Sequence, residues 1–191
     1  MKLKLFLSSI LVCLLSACGA EDESEPTFLE GSWLEQDCYD TNDALTEYGQ
    51  STFQYSGNKV TIYNHVYSTN DCSGDPILEA RFDGSIALGE DKILSSGDTV
   101  TQYTITVNTA TQTALTQAKA DALSSDENCG INDWEKDVVK SVYECKFGSE
   151  PNVLKEIAKV DGDDLYRGDY ESKDSTGYST ALDLNNPFSK Q

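Results

Sequence analysis

The chain has 191 residues, with 14 basic against 33 acidic side chains and a net charge of −19 when its single His is neutral. That is enough chain for one domain with a real core and too little for two ordinary ones. The composition excludes a polytopic membrane protein, a collagen-like chain and a Cys-packed miniprotein, and the acidity argues against a nucleic-acid partner, because phosphate backbones are held by clustered Lys and Arg.

Lys2 and Lys4 precede a short apolar run, residues 5–15, broken only by Ser8 and Ser9. A helix needs about 20 apolar residues to cross a bilayer core, so this run is too short to span. Charge, short apolar stretch and then small residues is the layout of a secretory signal peptide, residues 1–17. The run ends Leu15-Ser16-Ala17-Cys18, which resembles the lipobox of bacterial lipoproteins. The resemblance implies cleavage before Cys18, a diacylglycerol on its thiol and an acyl chain such as palmitate on the new amino group. Each buried methylene adds about 0.8 kcal/mol of membrane affinity, so two or more chains make a stable anchor. Gly19 stands where an Asp marks inner-membrane retention in enteric bacteria, so the resemblance favours the outer membrane, with the face left open. Cleavage also removes Lys2 and Lys4, taking the net charge from −19 to −21.

Residues 18–27 carry the Cys and then GAEDESEPT, with four carboxylates, one Pro and no apolar anchor. That composition reads as a flexible, self-repelling linker. Residues 28–191 remain for a single domain. Cys38, Cys72, Cys129 and Cys145 lie within it, and export places them where disulfides persist. Four Cys allow three pairings. Proximity in sequence favours Cys38 with Cys72 and Cys129 with Cys145. The alternative, a metal site, has no C-x-x-C pair and only His65 as imidazole, so no metal and no cofactor beyond the covalent lipid is expected.

The domain reads mainly as strands. Residues 31–38 form a short candidate strand, and residues 51–55 are rich in β formers. Ser56-Gly57-Asn58 is a turn signal. Residues 59–67 then alternate, with Val60, Ile62 and Val66 on one face and Thr61, Tyr63, His65 and Tyr67 on the other, giving the clearest hairpin in the chain. Residues 77–88 alternate through Leu78, Ala80 and Phe82, with Gly84 as a bulge or bend. Residues 99–107 are strongly β, with Val100 and Ile105 on opposite faces, which predicts partial cover on both. Residues 111–123 are rich in Ala, Leu and Gln and predict one helix, capped by Thr109 or Thr111. Residues 134–147 fit either a helix or a strand. Residues 155–160 and 165–167 make a late hairpin around Asp161-Gly162-Asp163, and the tail from Glu171 is polar and reads as irregular.

Several strands, an early hairpin and one short helical insertion predict an antiparallel β-barrel, or alternatively a β-sandwich. Gly31-Ser32-Trp33, just ahead of the first strand, resembles the G-x-W signature of lipocalins. The resemblance implies an eight-stranded barrel closed at one end by Trp33, under an Arg from the last strand. Arg167, late and within a predicted strand, is the candidate for that partner; a surface Arg and a Trp anchoring some other β core are the alternatives.

The chain carries few catalytic patterns. There is no G-x-S-x-G, no P-loop and no dinucleotide signature. His65 shares a strand face with Tyr63 and Tyr67, which suits an exposed or cavity-lining role better than catalysis. Asp161-Gly162-Asp163-Asp164 departs from a calcium loop at Leu165 and Tyr166 and reads as a tight turn. The Tyr side chains in strands fit a ligand cavity, a contact surface or plain core. The expected protein is a non-enzymatic, membrane-anchored lipoprotein whose lipocalin-like barrel binds a small apolar ligand. The alternative is a filled barrel serving as a structural or protein-interaction module of the cell envelope.

Overall fold

The computed structural model describes residues 27–41, 47–148 and 152–191. The leader, Cys18 and most of the acidic linker therefore lie outside the described residues. Eight strands close into an antiparallel barrel, in the order β1 (Gly31–Glu35), β3 (Tyr48–Ser56), β4 (Lys59–Tyr67), β5 (Leu78–Ile93), β6 (Thr99–Ala114), β8 (Asn152–Asp161), β9 (Asp164–Arg167) and β10 (Phe188–Lys190), with β10 returning to β1. β2 (Tyr39–Asp40) pairs with the start of β3, and β7 (Val139–Ser141) with the end of β6.

The hairpin β3–β4 runs in unbroken register from Tyr48↔Tyr67 to Ser56↔Lys59. Val60 and Ile62 face the core while Tyr63 and His65 stack on the outer wall, their rings 7° from parallel. Gly57 supplies the positive φ of the turn, +55°, and its N–H donates to the Glu30 carboxylate at 2.9 Å. β5 and β6 form the longest pairing, with register shifts at Asp83/Gly84 and Leu88/Asp91. At the first shift the extra residue is Asn108 of β6, opposite the Asp83–Gly84 step of β5, and a Cβ on Gly84 would lie 2.5 Å from the carbonyl oxygen of Thr106. The extra residue bends the sheet and lets it curl towards closure.

The helical insertion differs from the sequence reading. Residues 111–114 continue β6, because β-branched Thr111 and Thr113 find ladder partners in β5. The helix α1 (Gln117–Ser125) starts six residues later than predicted, and its cap is Thr116, whose Oγ1 accepts from the Lys119 N–H at 3.2 Å. The ambiguous stretch divides between β7 and a second helix, α2 (Tyr143–Phe147). The polar tail holds β10, too short for a readable alternation, and it is this strand that joins β9 to β1.

Three apolar clusters hold the domain. Inside the barrel Trp33, Tyr55, Tyr103, Ile105 and Leu165 are fully buried, with Leu29 beneath them. The Trp33 indole N–H donates to the Leu29 carbonyl at 2.7 Å. Ala110, Ala114 and Ala120 pack with Trp134 and Val142 under the insertion, small side chains allowing helix to approach strand. Val100 and Ile157 face outward and are covered by Tyr178 and Leu182 of the β9–β10 connection. β6 thus buries both faces, as its pattern predicts. Gly168 admits this wrap, since a Cβ there would lie 2.5 Å from Ser179 Oγ.

Loop length is distributed unevenly between the two ends. The β3–β4, β5–β6 and β8–β9 connections are short turns at the Trp33 end, where Leu29 also sits. The β1–β3, β4–β5, β6–β8 and β9–β10 connections are long and all lie at the opposite end. Both disulfides staple this second end. Cys38–Cys72 ties the β1–β3 connection to the β4–β5 loop, and Cys129–Cys145 closes the β6–β8 insertion, the pairing expected from sequence proximity.

Candidate ligand cavity

A cavity of about 280 Å³ opens inside the barrel at the long-loop end. Phe53, Ile62, Phe82, Val107 and Leu154 form its walls. Each comes from a different strand, at the inward position of its alternation. Ser51 and Asn64, paired across β3 and β4 one step nearer the mouth, supply polar atoms at its rim. α2 stands beside the opening, where Phe147 meets Phe82 edge-on at 5.9 Å and the Tyr143 hydroxyl donates to the Val107 carbonyl at 3.1 Å.

Among the described residues, Arg167 is the one charged side chain of the cavity wall. Its guanidinium carbon lies 4.2 Å from the centre of the Phe53 ring and 5.8 Å from that of Phe188, a cation beside a perpendicular aromatic pair. Nη2 pairs with Glu156 Oε1 at 3.1 Å, with side-chain exposures of 20% and 12%. Burial works against the charge of Arg167, but Glu156, Tyr103 and Tyr55 outweigh it, and its pKa stands above the ordinary guanidinium value. Nε has no hydrogen-bond partner and is buried. Below, the Tyr55 and Tyr103 hydroxyls lie 3.4 Å apart, and burial raises the pKa of both.

Arg167 also borders a second, polar hollow of about 210 Å³. Three carboxylates, Glu35, Glu156 and Asp183, line it against two cations, Arg167 and Lys173. Glu35 accepts from the Ser51 N–H at 2.9 Å, yet burial keeps its pKa above the usual carboxylate range.

Trp33 is fully buried in the barrel core, its indole N–H held by the Leu29 carbonyl. Arg167 is not its cationic partner. That place is taken by Lys190 of β10, directly opposite Trp33 in register, with Nζ 5.3 Å from the indole ring centre. The sequence reading treats the tail as irregular, so the last strand passes to β9 and the wrong cation is chosen. His65 lies outside the barrel, 3.0 Å from Glu79. The turn at Gly162 is a tight hairpin, and among the described residues no group of three or more His, Cys, Asp or Glu is placed to hold a metal ion.

The sequence reading misses Glu35 and Glu156. Glu156 had a legible signal: the late hairpin pairs Ala158 with Arg167, so Glu156 shares a face with Arg167, Val160 and Leu165. Opposite charges on an otherwise apolar strand face mark a paired, inward site. Glu35 follows Trp33 by two residues and points the same way, but nothing local distinguishes it from an exposed acid.

The closed eight-stranded antiparallel barrel, with an apolar cavity opening among its long loops, is a lipocalin-like β-barrel. No protein-family model matches this chain, and no curated protein matches it in sequence.

Proposed function

We propose that the chain is an exported, lipid-anchored protein of the bacterial outer membrane, whose lipocalin-like barrel binds a small apolar ligand and catalyses no reaction. The cavity between Phe53, Ile62, Phe82, Val107 and Leu154 carries the ligand-binding part of this reading. Ligand sites are concave and mostly apolar, with a few convergent polar groups to orient the guest. Here Arg167, Ser51 and Asn64 are those groups. The anchor rests on the sequence Leu15-Ser16-Ala17-Cys18 and on the leader before it.

Native mass spectrometry of the exported chain carrying Cys18→Ser, purified without detergent, tests the binding. A reproducible extra mass released by organic solvent is the expected result. A bare mass with both disulfides closed sinks it and favours the interaction-module alternative, for which Val139, 62% exposed on β7, gives a starting surface. Membrane fractionation of the same variant tests the anchor, and continued partition into membranes is the result that excludes lipidation at Cys18.

A further inference from the structure

On the premise that the barrel binds a ligand, the insertion beside its mouth bears on how access is set. α2 joins two apolar clusters, because Phe82, Tyr143 and Phe147 pack against both the barrel interior and the core of the insertion. Phe82 and Val107 line the cavity, and α2 meets both, the first through the Phe147 ring and the second through the Tyr143 hydroxyl. A helix of five residues is too short to hold itself, and Val142 at its N-cap gives no side-chain cap. The Tyr143 end is anchored by Val142, whose side chain is buried in the insertion core and whose N–H donates to the Ala110 carbonyl at 2.9 Å. The Phe147 end is held by its ring contacts and by the bond from Cys145 to Cys129. Cys129 sits in a turn of high backbone cost. Glu127 and Cys129 take φ of +48° and +58°, in the left-handed region that residues other than glycine avoid. Such a turn relaxes when the cross-link that holds it is cut. The link is within reach of solvent, since Cys145 is exposed and Cys129 half-buried, whereas Cys38 and Cys72 are both half-buried.

We infer that the Cys129–Cys145 disulfide is a thiol-sensitive latch on the cavity mouth. Closed, it holds the Phe147 end of α2 against Phe82. Opened by a partner that carries a dithiol, it frees that end, which turns about Val142 and widens the mouth. The step is thiol–disulfide exchange. One thiolate of the dithiol attacks Cys145 Sγ, the bond between Cys145 and Cys129 breaks, and Cys129 leaves as a thiolate that takes up a proton. The second thiolate of the dithiol then attacks the mixed disulfide, and Cys145 leaves in the same way. The dithiol departs as its own disulfide, having passed two electrons and two protons to the protein.

The test titrates the full chain carrying Cys18→Ser with dithiothreitol, then alkylates free thiols and maps them by peptide mass. Cys129 and Cys145 are expected to open at a concentration about tenfold below that needed for Cys38 and Cys72. In that half-reduced state, amide hydrogen exchange in α2 is expected to quicken by about tenfold or more while the β3–β4 hairpin keeps its protection. N-phenyl-1-naphthylamine, an uncharged apolar fluorophore, is expected to dissociate about fivefold faster than from the oxidised chain. The variant Cys129→Ser/Cys145→Ser should reproduce the exchange and the dissociation rate without reductant, with hairpin protection as the check that it folds. Opening of Cys38–Cys72 first, or unchanged exchange in α2 once Cys129–Cys145 is open, overturns the latch. A fluorophore that binds with the same rates in both states also overturns it and leaves the ligand reading standing. If the fluorophore binds in neither state, the ligand reading fails, and faster exchange confined to α2 still supports the latch.

Discussion

Removing Glu156 alone isolates the energetics of the charged pair inside the barrel. At 3.1 Å and an effective dielectric near 20, the gross attraction of the pair is about 5 kcal/mol. Taking both ions out of water costs several kcal/mol each, so the net contribution of the intact pair is close to zero. Glu156→Ala deletes the attraction and leaves the desolvation of Arg167 in place. Loss of one partner of a buried pair costs about 3–5 kcal/mol, and the 20% exposure of Arg167 puts the expected value at the lower end, about 3 kcal/mol. With a urea slope of about 2 kcal/mol per molar, the unfolding midpoint falls by about 1.5 M. The double variant Glu156→Leu/Arg167→Met recovers most of that loss, because apolar side chains of similar size need no compensation. Equilibrium urea unfolding at pH 7, followed by tyrosine and tryptophan fluorescence, reads both. A Glu156→Ala midpoint within about 0.3 M of the parent shows that the guanidinium is solvated and not held in a dry wall. A double variant as unstable as the single shows that packing, not charge, dominates there.

Three further outcomes follow from particular contacts. Glu35→Gln is expected to stabilise the protein at neutral pH: its folded pKa is raised by burial, so the folded state loses stability as pH rises from the ordinary glutamate range through the raised value. The gap between variant and parent should therefore be smallest in acid and widen as pH rises above the ordinary glutamate range in urea titrations. A gap that stays constant with pH places the effect elsewhere. Gly84→Ala forces a Cβ against the Thr106 carbonyl oxygen, 2.5 Å away, and should cost about 1–3 kcal/mol, or several degrees of melting temperature by calorimetry; an unchanged melt means the bulge relaxes freely. Cys38→Ser/Cys72→Ser opens a link across 34 residues of sequence, worth about 3–4 kcal/mol by loop closure. Non-reducing urea unfolding checks it, and a loss below about 1 kcal/mol would mean that the two loops stay together without the bond.

The parts legible from sequence were those fixed by local alternation. Val60 and Ile62 against Thr61, Tyr63 and His65 predict both the strand and its orientation, because each residue's face follows from its neighbours. Gly84 between β-forming runs marks a bulge, and the two disulfides join the nearest cysteines in sequence. What escaped depends on partners distant along the chain. Thr111 and Thr113 look like the entrance to an Ala-rich helix until β5 offers them hydrogen bonds. Phe188, Ser189 and Lys190 form a strand only because β9 and β1 lie on either side. That strand decides which cation covers Trp33, so missing it shifts Arg167 to the wrong end of the barrel. Corrected, Arg167 moves from closing the fold to lining its cavity.

The chain enters the barrel at Leu29 and makes its last backbone hydrogen bond, from Gln191 to Ser32, at the same end. If the chain is lipid-anchored at Cys18, as proposed above, the point of attachment follows from this. On the proposed anchoring, residues 19–27 would reach at most about 30 Å when extended and would join the barrel at the short-turn end, opposite the long loops. The mouth of the cavity, among the long loops, would then lie at the end of the barrel farther from that attachment. The two disulfides would brace the rim that faces incoming molecules.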